Sequence, residues 1–186
     1  MKLILKRIVR LFRQAKNTFK FMRIPNREAK RALRDACPKL KIEIAANASI
    51  RIGTPCFTNE KNCSISAREN AQIEIGGDIF FNKNCTIVAR EKVTIESNCL
   101  FGPNVYICDH DHVFDVENLY TDKFKTAPIS IGRGTWIGAG CIILKGATIG
   151  KNCIIGAGSV ITGTIPDGMI VLQKRNNTMY ERKSNI

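Results

Sequence analysis

Residues 131–162 read IGRGTWIGAGCIILKGATIGKNCIIGAGSVIT, and a six-residue period runs through the whole stretch. Isoleucine occupies every sixth position, at Ile131, Ile137, Ile143, Ile149, Ile155 and Ile161. Glycine often follows the isoleucine, and a small residue comes four positions after it. This period fits neither an α-helix, at about 3.6 residues per turn, nor a simple alternating strand. It is typical of short strands joined by turns and repeated along the chain.

Three such units close a triangular coil of about 18 residues, and coils stack at the strand spacing of roughly 4.8 Å. The aliphatic residue then points inward, and glycine and asparagine suit the corners because they tolerate positive φ. The same phase continues upstream through two further triplets: Ile95, Phe101 and Ile107, and Ile75, Phe81 and Ile87. Residues 61–69 resemble residues 83–91 at an offset of 22, so we expect corner insertions in the early coils. The repeat predicts an all-β parallel β-helix over about residues 42–166.

The cysteines fit this pattern without any special chemistry. Five of them follow an inward residue by four positions, and Cys63 matches one of these by local similarity; the five are Cys56, Cys85, Cys99, Cys141 and Cys153. Free cysteine behaves as a small buried hydrophobe. No CxxC pair is present, and a zinc site of about three histidines would exceed the two in the chain. We therefore expect buried thiols and no metal.

The positive charge is concentrated at the amino terminus. The net charge is +13, and residues 1–41 hold fourteen Lys or Arg against two acids, whereas the remainder is nearly neutral. We expect three parts: a basic helical extension over 1–40, a β-helix domain over 41–168, and a tail over 169–186. Residues 1–23 read as an amphipathic helix that ends before Pro25, and a second short helix over about 27–36 is expected.

This basic helix has two competing interpretations. An apolar stripe flanked by Lys and Arg suits the anionic inner face of a membrane. Alternatively, the helix packs on the open end of the β-helix and caps it. Nucleic-acid binding is not expected, because no aromatic platform or nucleic-acid motif accompanies the charge. The sequence has no apolar run of about 18 residues and no secretory leader, so we expect a cytoplasmic protein with peripheral membrane contact.

One excursion interrupts the repeat. After Ile107 comes CDHDHVFD, and the phase resumes only at Ile131, so residues 109–128 form a loop outside the coil. Long loops on a regular scaffold are usually functional. This loop begins with the two histidines of the chain, His110 and His112.

These features together resemble the hexapeptide-repeat acyltransferases, and within them the O-acetyltransferases of galactosides, maltose and surface polysaccharides. The resemblance implies a left-handed coil, whereas the usual crossover rule would favour the opposite hand. It also implies a homotrimer that uses acetyl-CoA, with each site shared between neighbouring subunits.

The resemblance further implies a histidine general base at the start of the loop. His112 has the family spacing to Pro128 and Trp136, and His110 lies two residues out of that register. Histidine suits the role because its ordinary pKa lies near neutral pH. Asp109 and Asp111 are interpreted either as acids that orient or stabilise the imidazolium on the acceptor side, or as solvated loop acids.

Other site residues come from the same resemblance. Asn82 and Asn84 match an Asn-x-Asn segment that binds the acceptor sugar, although asparagine is also simply a good corner residue. Trp136 lies outside the inward position, so it should project from the coil and border the acceptor, or else lie at a subunit interface.

For the donor, the resemblance points to small residues in the last coils and basic residues after them. These are Gly138, Ala139, Gly156, Ala157 and Thr162, with Lys174 and Arg175 toward the phosphates. The Ile165-Pro166-Asp167-Gly168 exit is similar to that of the family, but the segment after it lacks the usual glycine and proline.

We therefore expect an acetyl-CoA-dependent O-acetyltransferase acting on a sugar or cell-surface glycan. The alternatives are an N-acyltransferase on an amino sugar or nucleotide sugar, and a non-catalytic β-helix scaffold.

Overall fold

The computed structural model describes residues 22–23, 40–53, 56–58, 62–114 and 122–174. Its strands, in chain order, are β1 Met22–Arg23, β2 Leu40–Ile44, β3 Ser49–Ile52, β4 Cys56–Thr58, β5 Cys63–Ala67, β6 Gln72–Ile75, β7 Ile79–Phe81, β8 Thr86–Ala89, β9 Lys92–Ile95, β10 Leu100–Phe101, β11 Tyr106–Cys108, β12 His110–His112, β13 Phe124–Thr126, β14 Ile129–Ile131, β15 Trp136–Ile137, β16 Ile142–Leu144, β17 Thr148–Ile149, β18 Ile154–Ile155, β19 Val160–Ile161, β20 Thr164–Ile165 and β21 Ile170–Val171.

Three sheets of parallel strands form the three faces of a prism. The polar face contains β3, β6, β9, β14, β17 and β20, with β1 added antiparallel at its edge. The tryptophan face contains β4, β7, β10, β15, β18 and β21, and the tyrosine face contains β2, β5, β8, β11, β16 and β19. Successive strands move from face to face, so the described chain forms the expected left-handed parallel β-helix.

The register confirms the repeat and the early insertions. Ile131 pairs with Ile149, 18 residues further on. An early coil is longer, because Ile42 pairs with Ile65 at a distance of 23 residues. The coil that contains the loop takes 36 residues, from Ile107 to its partner Ile143.

The predicted inward residues form the core. All six isoleucines of the 131–161 series are at most 4% exposed, and Phe81 stacks on Phe101 with ring centroids 4.7 Å apart. Aliphatic residues of successive coils therefore lie directly on one another and exclude water, which is the main favourable contribution to folding.

The small-residue positions have a second requirement that the spacing did not reveal. Six side chains there donate to a carbonyl at the corner of the next coil: Cys63 to Asn82 O, Cys85 to Gly102 O, Cys99 to Gly132 O, Thr135 to Gly150 O, Cys141 to Gly156 O and Cys153 to Pro166 O. A small donor therefore suits the position better than alanine, because it pairs a buried carbonyl.

The seven cysteines of the described residues are buried thiols, as predicted. Burial raises the pKa of the Cys99 thiol to about 11. In the neighbouring pair, the hydrogen bond from Cys63 and burial raise the pKa of Cys85. Because a raised pKa keeps a thiol neutral and a poor nucleophile, Cys85 and Cys99 are best interpreted as structural residues.

The predicted amino-terminal helices lie outside the described residues, apart from Met22 and Arg23. These two residues form β1 and pair antiparallel with Ile52 and Arg51, so the helical assignment is wrong at its last two positions. Pro25 disfavours helix in the residue before it, and the edge of β3 offers unpaired backbone groups. No helix in the described part of the chain could span a membrane.

Two corners of the prism carry most of the predicted site residues. The loop corner joins the tyrosine face to the polar face and contains, among the described residues, 68–71, 90–91, 109–114, 122–128, 145–147 and 162–163. The glycine corner joins the tryptophan face to the tyrosine face and contains residues 82–85, 102–105, 138–141 and 156–159.

Candidate active site

The loop leaves the coil as a two-stranded arm. β12 pairs antiparallel with β13, so that His110 faces Thr126 and His112 faces Phe124. The Ala127 amide donates to the Asp109 carbonyl over 3.0 Å, which closes the base of the arm. The chain therefore leaves the coil at Asp109 and returns to it at Ala127, and residues 115–121 lie outside the described residues.

His112 is the last residue of β12. Its side chain is exposed, and its ring centroid is 4.6 Å from that of Phe124. An exposed imidazole can meet a hydroxyl that arrives from solvent. The position therefore meets the first geometric requirement for a general base.

Asp109 is not a solvated loop acid, and the imidazole that it pairs with is that of His110. Its side chain is fully buried, and its two carboxylate oxygens accept the Arg90 and Glu91 amides at 2.8 Å each. The solvated interpretation and the assignment to acceptor binding are both wrong, because this carboxylate has no open surface. Asp109 instead attaches the first residue of the loop to the preceding coil.

His110 is paired with this buried carboxylate. Its Nδ1 lies 3.0 Å from Asp109 Oδ1, and the Cys108 sulfur lies 3.5 Å from the same nitrogen. The side chain is only 11% exposed. His110 thus has the carboxylate partner of a catalytic histidine but little access to an acceptor.

Asp111 remains at the surface. Its carboxylate lies 3.0 Å from Lys145 Nζ, which comes from the loop corner of the next coil. The Asp111 side chain is 55% exposed, so this ion pair joins the arm to the next coil at the protein surface.

Two residues that contact each other at the arm, Arg90 and Phe124, were not predicted from sequence. The Arg90 guanidinium carbon lies 3.3 Å from the ring centroid of Phe124. The Phe124 ring also lies against both histidines, edge-on to His110 at 5.5 Å and tilted to His112 at 4.6 Å. The available signal was weak: Phe124 is an aromatic residue in an otherwise polar stretch, KFKT.

Asn82 and Asn84 lie at the glycine corner, on the far side of the tyrosine face from the arm. Asn84 has a φ of 59° and donates to Asn104 Oδ1 over 3.0 Å, which favours its interpretation as a corner residue. Asn82 is half-buried, and its Oδ1 accepts the Lys83 amide.

Trp136 projects from β15 as predicted and is 50% exposed. It lies in register between Leu100 and Ile154 on the tryptophan face. The outward residues there are largely apolar, whereas those of the polar face include Glu74, Thr94, Ser130 and Thr148.

The predicted donor residues divide between the two corners. Gly138, Ala139, Gly156 and Ala157 stack at the glycine corner, and Thr162 lies at the loop corner. Gly138 is buried, and a Cβ there would lie 2.7 Å from the Ala157 backbone nitrogen, so coil stacking by itself requires this glycine.

The tail begins over the glycine corner. The Gln173 side-chain amide accepts from Val160 N and donates to Val160 O, at 3.0 and 2.7 Å, and so covers the last edge of the tyrosine face. Lys174 follows and is exposed, whereas Arg175 lies outside the described residues.

Two other features bear on the location of the site. A groove of about 470 Å³ lies at the third corner, between Glu96, Arg133 and Lys151, and contains none of the predicted residues. Within the described ranges, no cluster of three or more His, Cys, Asp or Glu residues could hold a metal ion. The arm remains the best candidate for chemistry.

Family models and curated relatives both indicate the same family. Residues 128–163 match the family model "Bacterial transferase hexapeptide (six repeats)", and residues 92–108 match "Hexapeptide repeat of succinyl-transferase". The chain is 30% identical over 148 residues to the galactoside O-acetyltransferase of Lactococcus lactis, covering 80% of this chain and 70% of that protein. It spans about half the length of other curated relatives that it matches.

Two solved structures share the fold. A hexapeptide-repeat acetyltransferase of Vibrio cholerae, complexed with acetyl coenzyme A, has a TM-score of 0.53 and 21% identity, with 79% of this chain and 73% of that chain covered. An N-acyltransferase from Bacillus cereus, complexed with coenzyme A and dTDP-4-amino-4,6-dideoxyglucose, has a TM-score of 0.54 and 15% identity, with 89% and 92% covered. The repeat, the arm and the L. lactis relative together show that the chain belongs to the hexapeptide-repeat O-acetyltransferase family.

Proposed function

We propose that this protein transfers an acetyl group from acetyl-CoA to a hydroxyl of a sugar or cell-surface glycan. The observation that carries the proposal is the exposed His112 on an arm that interrupts an otherwise regular β-helix. Family membership supports acyl transfer as the class of reaction.

His112 acts as the general base in this proposal. Its imidazole accepts the proton of the acceptor hydroxyl while that oxygen attacks the thioester carbonyl carbon. The tetrahedral intermediate then collapses, the carbon–sulfur bond breaks, and the imidazolium returns the proton to the departing CoA thiolate. General-base catalysis of this kind contributes about 10²- to 10⁴-fold to the rate.

The donor would lie along the glycine corner. Ala139 and Ala157 are at least partly exposed there, and small side chains let a pantetheine arm approach the backbone. Lys174 follows the same corner and carries the positive charge that suits a phosphate. The V. cholerae neighbour, which was solved with acetyl coenzyme A, supports this donor.

The site would be shared within a homotrimer. His112 and Thr162 belong to the loop corner, whereas Asn82 and the glycine-corner residues lie across the tyrosine face. A second copy can bring its glycine corner to the loop corner of the first. The exposed Tyr106, Trp136 and Ile142 give the tyrosine and tryptophan faces apolar surface for such packing.

The basic extension would bring the enzyme to the cytoplasmic face of a membrane, where a lipid-linked acceptor is made. Co-sedimentation of the full chain with vesicles tests this. Binding to phosphatidylserine vesicles that weakens with salt is expected. Absence of binding to either phosphatidylserine or phosphatidylcholine vesicles would instead favour the capping role, with which the pairing of β1 is consistent.

Transfer to an amino group is the alternative acceptor chemistry, and the B. cereus N-acyltransferase shares the fold. The two products differ in stability, since hydroxylamine cleaves an acetyl ester but not an acetamide. An acetylated product that survives hydroxylamine would replace the hydroxyl acceptor by an amine.

Thiol release from acetyl-CoA, measured with a panel of sugar acceptors, tests the proposed reaction. Acceptor-dependent release is expected, together with a melting temperature that rises with acetyl-CoA. Absence of both effects would overturn the donor assignment and favour a non-catalytic scaffold.

A further inference from the structure

We propose that Arg90 and Phe124 are positioning residues that hold His112 in its catalytic orientation. The inference rests on the proposed function and adds to it two residues that do not contact the reacting groups. Arg90 belongs to the coil beneath the arm, and Phe124 belongs to the returning strand of the arm.

A chain of contacts leads from the scaffold to the proposed base. The Arg90 guanidinium lies on one face of the Phe124 ring at 3.3 Å, and the His112 ring lies 4.6 Å from the same ring. Arg90 Nε is buried and makes no hydrogen bond to the described residues. The contact with the Phe124 face is thus the interaction that the structure shows for this side of the cation.

The backbone of the same corner fixes the other end of the arm. The Arg90 and Glu91 amides donate to the Asp109 carboxylate, which also pairs with His110. The outgoing strand is thus held through Asp109, and the returning strand through Phe124. His112 lies between these two attachments, so its ring direction depends on both.

The chain contains a matched comparison. Residues 67–69 and 89–91 are both Ala-Arg-Glu, and Ala67 pairs with Ala89 in adjacent coils. Arg68 is exposed, whereas Arg90 is half-buried beneath Phe124. Arg68 therefore has the same backbone position and charge as Arg90, without the arm above it.

The expected kinetic effect falls on the chemical step. A displacement of the base by about 1 Å can cost up to about 100-fold in rate. We expect Phe124→Leu and Arg90→Gln each to lower kcat by about 10-fold, with the KM for acetyl-CoA within about 2-fold. Phe124→Tyr, which keeps the ring, and Arg68→Gln should retain wild-type kcat, and Arg90→Lys should recover part of the loss.

The kinetic outcome that overturns the proposal is an equal loss in Arg90→Gln and Arg68→Gln, or a loss in Phe124→Leu that appears in KM alone. Melting temperatures recorded for each variant separate a positioning effect from unfolding. A fall in kcat that matched the unfolded fraction would also overturn it.

A second readout does not need activity. The protein has two histidines, so labelling the histidine Cε1 atoms gives two NMR signals, which the His110→Gln variant assigns. In Phe124→Leu the His112 signal should move toward that of free histidine, because the ring current is lost, and in Phe124→Tyr it should stay. An unchanged His112 signal in Phe124→Leu would overturn the proposed contact of Phe124 with His112, even if acetyl transfer were established. A moved signal in a protein that has no activity would support this contact and refute the proposed reaction.

Discussion

Two corners with the same local sequence have different roles in this molecule. Ala67-Arg68-Glu69 and Ala89-Arg90-Glu91 occupy equivalent positions in adjacent coils. The Arg68 amide donates to the Ala89 carbonyl of the next coil, which is the regular ladder. The Arg90 amide instead donates to the Asp109 side chain. The difference arises because the next coil departs at that point to form the arm.

The comparison shows how a repetitive scaffold accommodates an insertion. Where the backbone of the next coil is missing, a buried carboxylate replaces its carbonyl and accepts two amides. A buried donor without a partner would cost about 1–3 kcal/mol. Because the Asp109 carboxylate replaces the missing carbonyl as the acceptor, the loop can begin within the repeat. The same corner then supplies a cation for the returning strand.

Removing the arm should convert the second corner into a copy of the first. Replacing residues 110–126 by two glycines is feasible because the Asp109 carbonyl and Ala127 amide are already 3.0 Å apart. We expect thiol release to fall by at least about 100-fold, since the base is removed. Circular dichroism should show an intact β-helix. Retained activity would exclude the arm as the catalytic element.

Asp109→Ala should remove the two hydrogen bonds that replace the regular backbone ladder at the Arg90 corner. It leaves the Arg90 and Glu91 amides without the buried carboxylate that accepts them, which predicts a loss of roughly 2–4 kcal/mol in the free energy of unfolding. The melting temperature should fall by about 5–15 °C for a chain of this size. Asp111→Ala is the control, because that carboxylate is exposed. Equal falls in the two variants would contradict the structural role of Asp109.

Chemical reactivity should distinguish the two arginines directly. Phenylglyoxal should modify Arg68 several times faster than Arg90, since Arg68 is exposed and Arg90 is covered by Phe124. In Phe124→Leu the two rates should converge. Peptide mapping by mass spectrometry measures both sites in one sample, and equal rates in the wild type would mean that the cover is not maintained in solution.

The smallest effect is expected at the outer edge of the arm. Lys145→Gln removes the ion pair with Asp111, whose partners are 32% and 55% exposed. Exposed pairs contribute at most about 1 kcal/mol, so the melting temperature should change by no more than about 2–4 °C. A larger change would place Lys145 among the anchors of the arm.

Much of this architecture could be predicted from spacing. A period of six residues predicts the inward isoleucines, the cysteine positions, the excursion after Ile107 and the projecting Trp136. In a regular coil, the place of a residue in the repeat determines whether its side chain points inward or outward. The hand of the coil came from family resemblance.

The chemistry beneath the arm could not be predicted in this way. The burial of Asp109 and the contact of Arg90 with Phe124 depend on how residues 34 positions apart meet once the loop folds back. The identical tripeptides at 67–69 and 89–91 could not reveal that their arginines have different surroundings, because only Arg90 is covered by Phe124 once the loop folds back. The hydrogen-bond donors at the small corner positions were likewise hidden by a pattern that records only size.

The central claim, that the Arg90 corner acts through Phe124 on His112, is tested most directly by a double-mutant cycle in kcat. Phe124→Leu should lower kcat by about 10-fold in the wild-type background and by less than about 2-fold in the His112→Ala background, because a positioning residue has no effect without the group that it positions. The same 10-fold loss in both backgrounds would contradict the claim and assign Phe124 a role independent of His112.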